Sequence, residues 1–185
     1  MSVQRKKTRT LRLRSQDEGG AALVEAAFII LPLCLFLFGI IEYGFIFKDS
    51  LTLSSASRAG ARTASAEPRQ GSFYPDTISA VERAAAAADF QQGDWVRIYR
   101  ADPAGNPSDN CSSSCVEYQW NGSSFAQTGG GGWPEGSHVA CLGPGADSVG
   151  VQIRQSHKAV SGFFGDITLT EKTVMRFEPM TENCS

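Results

Sequence analysis

Apolar residues are concentrated in one long run near the N-terminus, and the remainder of the chain alternates between apolar and polar positions. Residues 26–41 carry no charged side chain, and after Glu42 the apolar run resumes until Lys48 ends it. As a helix, residues 26–47 extend about 33 Å, close to the ~30 Å hydrocarbon core of a bilayer. The pattern therefore predicts one transmembrane helix, with a kink at Pro32.

Basic residues are concentrated on the N-terminal side of this run, where six of them occupy the first fourteen positions: Arg5, Lys6, Lys7, Arg9, Arg12 and Arg14. Such a bias retains its side of a span in the cytoplasm and predicts a larger C-terminal part outside. Nucleic-acid binding is not expected, because the rest of the chain has no basic patch interleaved with aromatic residues. A cleaved secretory signal ending at Ala64-Ser65-Ala66 is the alternative, although the apolar run is too long and the site too distant.

Two carboxylates interrupt the apolar region. Glu42, beside Tyr43 near the outer end, is interpreted as an acid whose side chain reaches the lipid headgroups. Glu25 lies at the beginning of the run, where an acid costs free energy unless it finds a partner. We therefore expect a cation close to Glu25.

The segment that follows, residues 48–66, is rich in alanine and free of proline, which favours continuation of the helix. Ala56, Gly60 and Ala64 recur every four residues, so they share one face that another backbone can approach closely. A flexible Ser/Ala-rich tether is the alternative. Glu67-Pro68 ends the segment, because the residue before a proline disfavours the helical region.

The patterns beyond residue 67 predict a small α+β domain. Asp76 or Thr77 can cap a helix that runs through Val81 to Phe90. Alternating strands are predicted over 95–100, 116–120, 149–154 and 167–177, with an Asn121-Gly122 hairpin before Phe125 and a short helix or turn over 159–165. A helix against an antiparallel sheet is the expected fold.

Four of the five cysteines lie on the predicted outer side: Cys111, Cys115, Cys141 and Cys184. An even number in an exported domain favours two disulfides. Cys111 with Cys115 would close a tight loop and leave Cys141 for Cys184, but crossed pairings are also compatible with the sequence. Cys34, within the span, is expected to be a small apolar residue.

The sequence does not predict an enzyme. Only two histidines are present, His138 and His157, and no acid–base or nucleophile constellation is visible. We expect no catalytic residue, no cofactor and no small-molecule substrate. A metal site is not expected either, because the Cys111–Cys115 spacing lacks a matching second pair.

The entry to the span carries the most informative motif. A basic leader, Gly20, four residues, Glu25 and a long apolar helix together resemble the processing site of type IV prepilins. The stretch from Gly20 to Phe28 with Pro32, the run Phe38–Gly44 and Ala56-Ser57-Arg58-Ala59-Gly60-Ala61-Arg62 resemble the TadE family of pseudopilins from tight-adherence pilus systems. The residue after Glu25 is Ala26, where such proteins often have an aromatic.

This resemblance implies cleavage between Gly20 and Ala21 by a prepilin peptidase, and a role for Glu25 in assembly. Together with the hydropathy pattern, it divides the chain into a basic cytoplasmic leader (1–20), a transmembrane helix (21–47), an exposed helical stalk (48–66) and an extracytoplasmic α+β domain (67–185), which holds the expected disulfides. It implies a minor pilin in the cytoplasmic membrane or a surface pilus, with other pilins and pilus-assembly membrane proteins as partners. A permanently anchored extracellular binding domain is the alternative.

Overall fold

One 49-residue helix, α1 (Glu18–Ala66), begins the part of the chain that the structure describes. The computed structural model describes residues 18–109, 111–130, 132–160, 162 and 165–181. The chain separates into two units, Met1–Ile41 and Glu42–Ser185. The helix runs without a break from the predicted span into the predicted stalk, with Pro32 inside it.

Residues of α1 in the first unit form a largely exposed apolar helix. Gly19–Ala66 is long and apolar enough to cross a membrane once, and none of its most apolar 18-residue window is buried within the chain. Large side chains are exposed along its whole length: Leu23, Val24, Phe28, Ile29, Ile30, Leu31, Leu33, Leu35, Phe36, Leu37, Phe38, Ile40 and Ile41. Length and composition are thus those of a single membrane span, as the sequence predicts.

The second unit combines helices with an antiparallel sheet. A second helix, α2 (Phe73–Ala84), precedes five strands: β1 (Trp95–Arg100), β2 (Cys115–Trp120), β3 (Phe125–Gly129), β4 (Ser148–His157) and β5 (Ile167–Arg176). Their order in the sheet is β3-β2-β1-β4-β5, and every pair is antiparallel. The α+β fold predicted from the sequence is therefore confirmed.

Alternation of side chains explains which face of the sheet is covered. In β1, Val96 and Ile98 are fully buried, and in β4 so are Val149, Val151 and Ile153, while the intervening Arg97 and Gln152 are more exposed. Successive side chains of a strand point to opposite faces, so these positions form one apolar surface. The β4–β5 pairing is unbroken from Ser148 opposite Arg176 to His157 opposite Ile167.

The second half of α1 supplies one wall of the core. Leu53, Ala56, Ala61 and Ala64 are fully buried in the same cluster as Val81 of α2. A Cβ built at Gly60 would lie 2.6 Å from Cγ2 of Val81. The predicted small-residue face therefore packs against its own domain, and residues 48–66 are exposed on one side only. This segment and the sheet share one core, as expected for a helix packed against an antiparallel sheet.

Helix α2 begins three residues before the predicted cap and ends six before Phe90. Pro75 is its third residue, a position where the missing N–H has no intrahelical partner to lose. After Ala84 the chain forms turns, with the N–H of Ala88 donating to the carbonyl of Ala85 at 2.8 Å. Neither Asp76 nor Thr77 caps the helix: the Thr77 hydroxyl instead donates to the carbonyl of Phe73 at 2.6 Å.

The structure joins Cys111 to Cys115 by a disulfide. Cys141 is also disulfide-bonded, and its candidate partner Cys184 lies outside the described residues. Cys34 is a free, exposed thiol on α1. A short 3-10 helix, Glu135–Ser137, was not predicted. Part of the predicted turn over 159–165 also lies outside the described residues.

Candidate assembly site on the long helix

The candidate processing residues lie within the first turns of α1. Gly20, Ala21 and Glu25 are all exposed, and a Cβ at Gly19 or Gly20 would meet no atom within 4 Å. Glycine in a helix costs about 1 kcal/mol relative to alanine, so two consecutive glycines make this the part of the helix that opens most easily. A peptidase that must unwind the backbone around the Gly20–Ala21 bond is helped by that local weakness.

Glu25 is the one charged residue between positions 19 and 41. Within the described part of the chain, no cation pairs with it. An acid on an otherwise apolar surface is costly to place in lipid and gains most from a cation brought by another molecule. Its position on an exposed face leaves it accessible to such a partner.

A second group of acids on α1 is buried and has a partner from the sheet. Glu42 and Asp49 are 3% and 6% exposed, and the ring of His157, at the end of β4, is 7% exposed. Nδ1 of His157 lies 2.7 Å from Oδ2 of Asp49, and Nε2 lies 3.3 Å from Oε1 of Glu42. The two acids are seven residues apart, so they share one helix face two turns apart, and the imidazole spans the gap between them.

Neighbouring groups complete this Glu42–Asp49–His157 cluster. The backbone N–H of Val160 donates to both carboxylate oxygens of Glu42 at 3.1 Å, and Nζ of Lys48 lies 3.5 Å from Oδ1 of Asp49. Both ring contacts are hydrogen bonds when each nitrogen of His157 carries a hydrogen, because carboxylates only accept. The ring thereby joins two buried acids of α1 to the end of β4.

The cluster corrects the interpretation of Glu42. The sequence suggested an acid reaching lipid headgroups, but this side chain is buried in the domain and bonded to residues more than a hundred positions away. His157 was not among the predicted site residues. The one local signal is that the alternation of β4 continues past Arg154 to a histidine, which places its ring on the buried face. Nothing near it in sequence identifies its partners.

The second histidine, His138, lies in an aromatic cluster with Phe73, Trp133 and Phe177. Its ring stacks on Phe177 with centroids 5.1 Å apart and packs 4.6 Å from that of Phe73. Its two nitrogens face the carbonyls of Pro68 and Trp133. Burial lowers the pKa of His138, although the two carbonyl contacts act in the opposite direction. The arrangement is that of a structural histidine closing the segment that follows α1.

The lowered pKa of His138 predicts a specific pH dependence. In the unfolded chain this residue titrates near pH ~6.5, so below that pH the unfolded state binds the proton more readily than the folded state. Its contribution to stability is present above pH ~6.5 and is lost as the pH falls toward the lower folded pKa. Urea unfolding of the full chain in detergent, followed by tryptophan fluorescence from pH 8 to 5, measures this loss.

The control is His138→Phe, which preserves an aromatic ring against Phe73 and Phe177 but cannot titrate. We expect the free energy of unfolding of the wild type to fall more steeply than that of the variant below pH ~6.5, with a limiting difference of about 1.4 kcal/mol per pH unit. His157 is present in both proteins, so it does not contribute to the difference between the two curves. Parallel curves would contradict the assignment.

A comparison with known families adds a finding to this geometry. Residues 20–62 match the family model of the TadE-like proteins. This confirms the resemblance seen in the sequence. The match covers less than a quarter of the 185 residues, begins at the candidate processing glycine and contains Glu25, Glu42 and Asp49.

The Glu42–Asp49–His157 cluster lies only partly within this TadE-like segment, residues 20–62. The two acids belong to the segment, whereas His157 and the whole sheet lie outside it. Neither among curated proteins nor among solved structures was a match to this chain found. The family finding therefore concerns the long helix, and the domain is interpreted from its own geometry.

Proposed function

We propose that this protein is a TadE-like minor pilin that helps assemble or initiate a tight-adherence pilus. The observation that carries the proposal is the TadE-like segment beginning at Gly20 and running through an exposed apolar helix with a lone acid, Glu25. An apolar helix with one charge is suited to move from lipid into a bundle of identical helices, since both surroundings accept its apolar side chains. The fold alone would not support this role.

Processing gives the helix its working N-terminus. A prepilin peptidase would cut between Gly20 and Ala21 on the cytoplasmic face, leaving a new ammonium on Ala21. Glu25 of one subunit then pairs with the amine of its neighbour as helices stack. In surroundings of low dielectric constant such a pair sets the register between subunits, even where its net contribution to stability is small.

The membrane orientation, the location of the domain and the partners are inferred from the same helix. The basic leader keeps the N-terminus in the cytoplasm, and the chain beyond residue 47 lies outside the membrane, where its disulfides are stable. The partners are the prepilin peptidase, other pilins and the membrane proteins of pilus assembly. We propose no catalytic activity, cofactor or nucleic-acid partner.

An anchor-exchange experiment distinguishes a minor pilin from a permanently anchored binding domain. Residues 1–41, the first structural unit, are replaced by an unrelated single-pass anchor of the same topology, so that Glu42, Asp49 and the domain stay intact. Cells lacking the protein are complemented with wild type or with the exchanged chain, and surface pili are sheared off and quantified. We expect restoration by the wild type and none by the exchanged chain.

The exchanged chain must reach the membrane in equal amount, with its outer domain folded and digestible by external protease only after denaturation. Full piliation with the foreign anchor would mean that the helix is a tether, and the minor-pilin proposal would fail. Normal piliation of cells lacking the protein altogether would remove the pilus role as well.

A further inference from the structure

Two arginines lie on the outer side of α1, facing away from the core. Arg58 and Arg62 are exposed, and within the described residues neither guanidinium makes a hydrogen bond or an ion pair. They are four residues apart, so both lie on one helix face about 6 Å apart along the axis. Ser55, also exposed, belongs to the same face. The face opposite is the small-residue face packed in the core.

A groove elsewhere on the domain combines aromatic rings with a carboxylate. It has a volume of about 360 Å³ and is lined by alanines that follow α2, the rings of Phe90 and Trp120, Ser123, and the side chain of Glu82. Glu82 is the one charged residue among its lining residues. Oε1 of Glu82 accepts a hydrogen bond from the N–H of Phe125 at 2.9 Å, which fixes the carboxylate beside the rings.

The rings themselves are held in place by one another. The centroids of Phe90 and Trp120 are 5.5 Å apart, and Phe125 packs edge-on against both, at 4.9 Å from Phe90 and 5.1 Å from Trp120. A tryptophan face attracts a guanidinium, and a neighbouring carboxylate adds directional hydrogen bonds to it. Such a groove is therefore selective for an arginine over a neutral side chain.

The same combination occurs, already filled, inside this chain. The guanidinium carbon of Arg97 lies 4.4 Å from the ring centroid of Trp95, and its Nη2 lies 2.7 Å from Oε2 of Glu117. That trio of arginine, tryptophan and glutamate bridges β1 and β2, which are paired strands. Glu82 and Trp120 present two of the three components, and Arg58 or Arg62 presents the third.

We infer that the Glu82–Phe90–Trp120 groove of one copy receives Arg58 or Arg62 from a second copy of the chain. The two surfaces share no residue, so one copy can bind a neighbour through its groove and another through its arginines, and the contact can repeat from copy to copy. A propagating contact is the kind that a filament needs. The inference rests on the proposed pilin function and supplies it with a contact outside the membrane helix.

Site-specific photo-crosslinking in membranes of cells making the full chain tests the contact. A benzophenone amino acid replaces Ser123, which lines the groove, and adducts between copies are mapped by mass spectrometry. We expect adducts within residues 51–66 of a second copy. Their yield should fall about fivefold with Arg58→Ala/Arg62→Ala and equally with Glu82→Gln, which keeps an acceptor for Phe125.

The combined triple variant should lower the yield no further than either parent, because both remove one interaction. Arg83→Ala, which removes an exposed charge beside Glu82, should leave the yield unchanged. A yield that is insensitive to both Glu82→Gln and the arginine variant, or adducts mapping to a different protein, would overturn the inference.

A second crosslinker position distinguishes failure of the arginine contact from failure of the proposed pilin function. The same amino acid at Leu33, exposed on the apolar helix, reports helix association between copies. Adducts from Leu33 with none from Ser123 would leave the pilin role standing and remove the arginine contact. No adducts from either position would remove both.

Discussion

Replacing His157 with alanine should lower the free energy of unfolding by about 3–5 kcal/mol, because it removes the ring that two buried carboxylates share. The ring contacts Asp49 at 2.7 Å and Glu42 at 3.3 Å, and all three side chains are nearly inaccessible to water. Removing one partner of a buried polar group costs more than the contact contributes when intact, since the groups that remain stay buried without that hydrogen-bond partner.

Urea unfolding of the full chain in detergent micelles measures this effect. All three tryptophans, Trp95, Trp120 and Trp133, lie in the unit that contains the cluster, so their fluorescence reports on its unfolding. The matched control is Lys158→Ala, the exposed neighbour, which we expect to change stability by less than about 0.5 kcal/mol.

A double-mutant cycle shows whether the loss belongs to the ionic group. In the His157→Ala background, Glu42→Gln should cost far less than it does alone, because its contact with the ring is already gone. A loss for His157→Ala below about 1 kcal/mol, or strictly additive effects of the two substitutions, would show that the cluster is not the tie between α1 and β4.

Substitution of Glu25 should abolish the pilus phenotype without affecting the domain. Glu25→Gln removes the one charge of the apolar helix and makes that helix more apolar, so membrane insertion should be unchanged or improved. Pairing with the amine of a neighbouring subunit is lost, and with it the register of assembly. We expect piliation to fall to the level of cells lacking the protein.

The measurements are membrane abundance by immunoblot and pilus yield after shearing, on the same cultures. Glu25→Asp, which retains the charge on a shorter side chain, is the matched variant and should keep part of the activity. Val24→Ala controls for a change at the neighbouring exposed position. Wild-type pilus yield with Glu25→Gln would remove the assembly role from this residue.

The elements that depend on local patterns were predictable from the sequence. Strands β1, β2, β4 and β5 follow from alternation of apolar and polar side chains, and the Asn121-Gly122 hairpin predicts β3 beginning at Phe125. The continuous helix α1 follows from its apolar run and its alanine-rich continuation. In each case the information lies within about ten residues of the element itself.

The features set by distant contacts were not predictable. Glu42 looks like an interfacial acid from its neighbours, and only the pairing of β4 in the sheet brings His157 to it across 115 residues. The bounds of α2 were misjudged because Pro75 is compatible with a first turn and the alanines after Ala84 do not extend the helix. The surroundings of Glu42 and the bounds of α2 both depend on packing against the core, which local propensity does not report.

If this protein is a minor pilin, its mature chain begins at Ala21, and the mass of the chain purified from membranes tests this most directly. The protein is made in cells with and without the prepilin peptidase, extracted, and analysed by intact mass and N-terminal sequencing. For a minor pilin we expect a chain starting at Ala21 only where the peptidase is present. A chain starting at Met1 or Ser2 in both strains would contradict it, and so would a start near Glu67, the product of ordinary secretion.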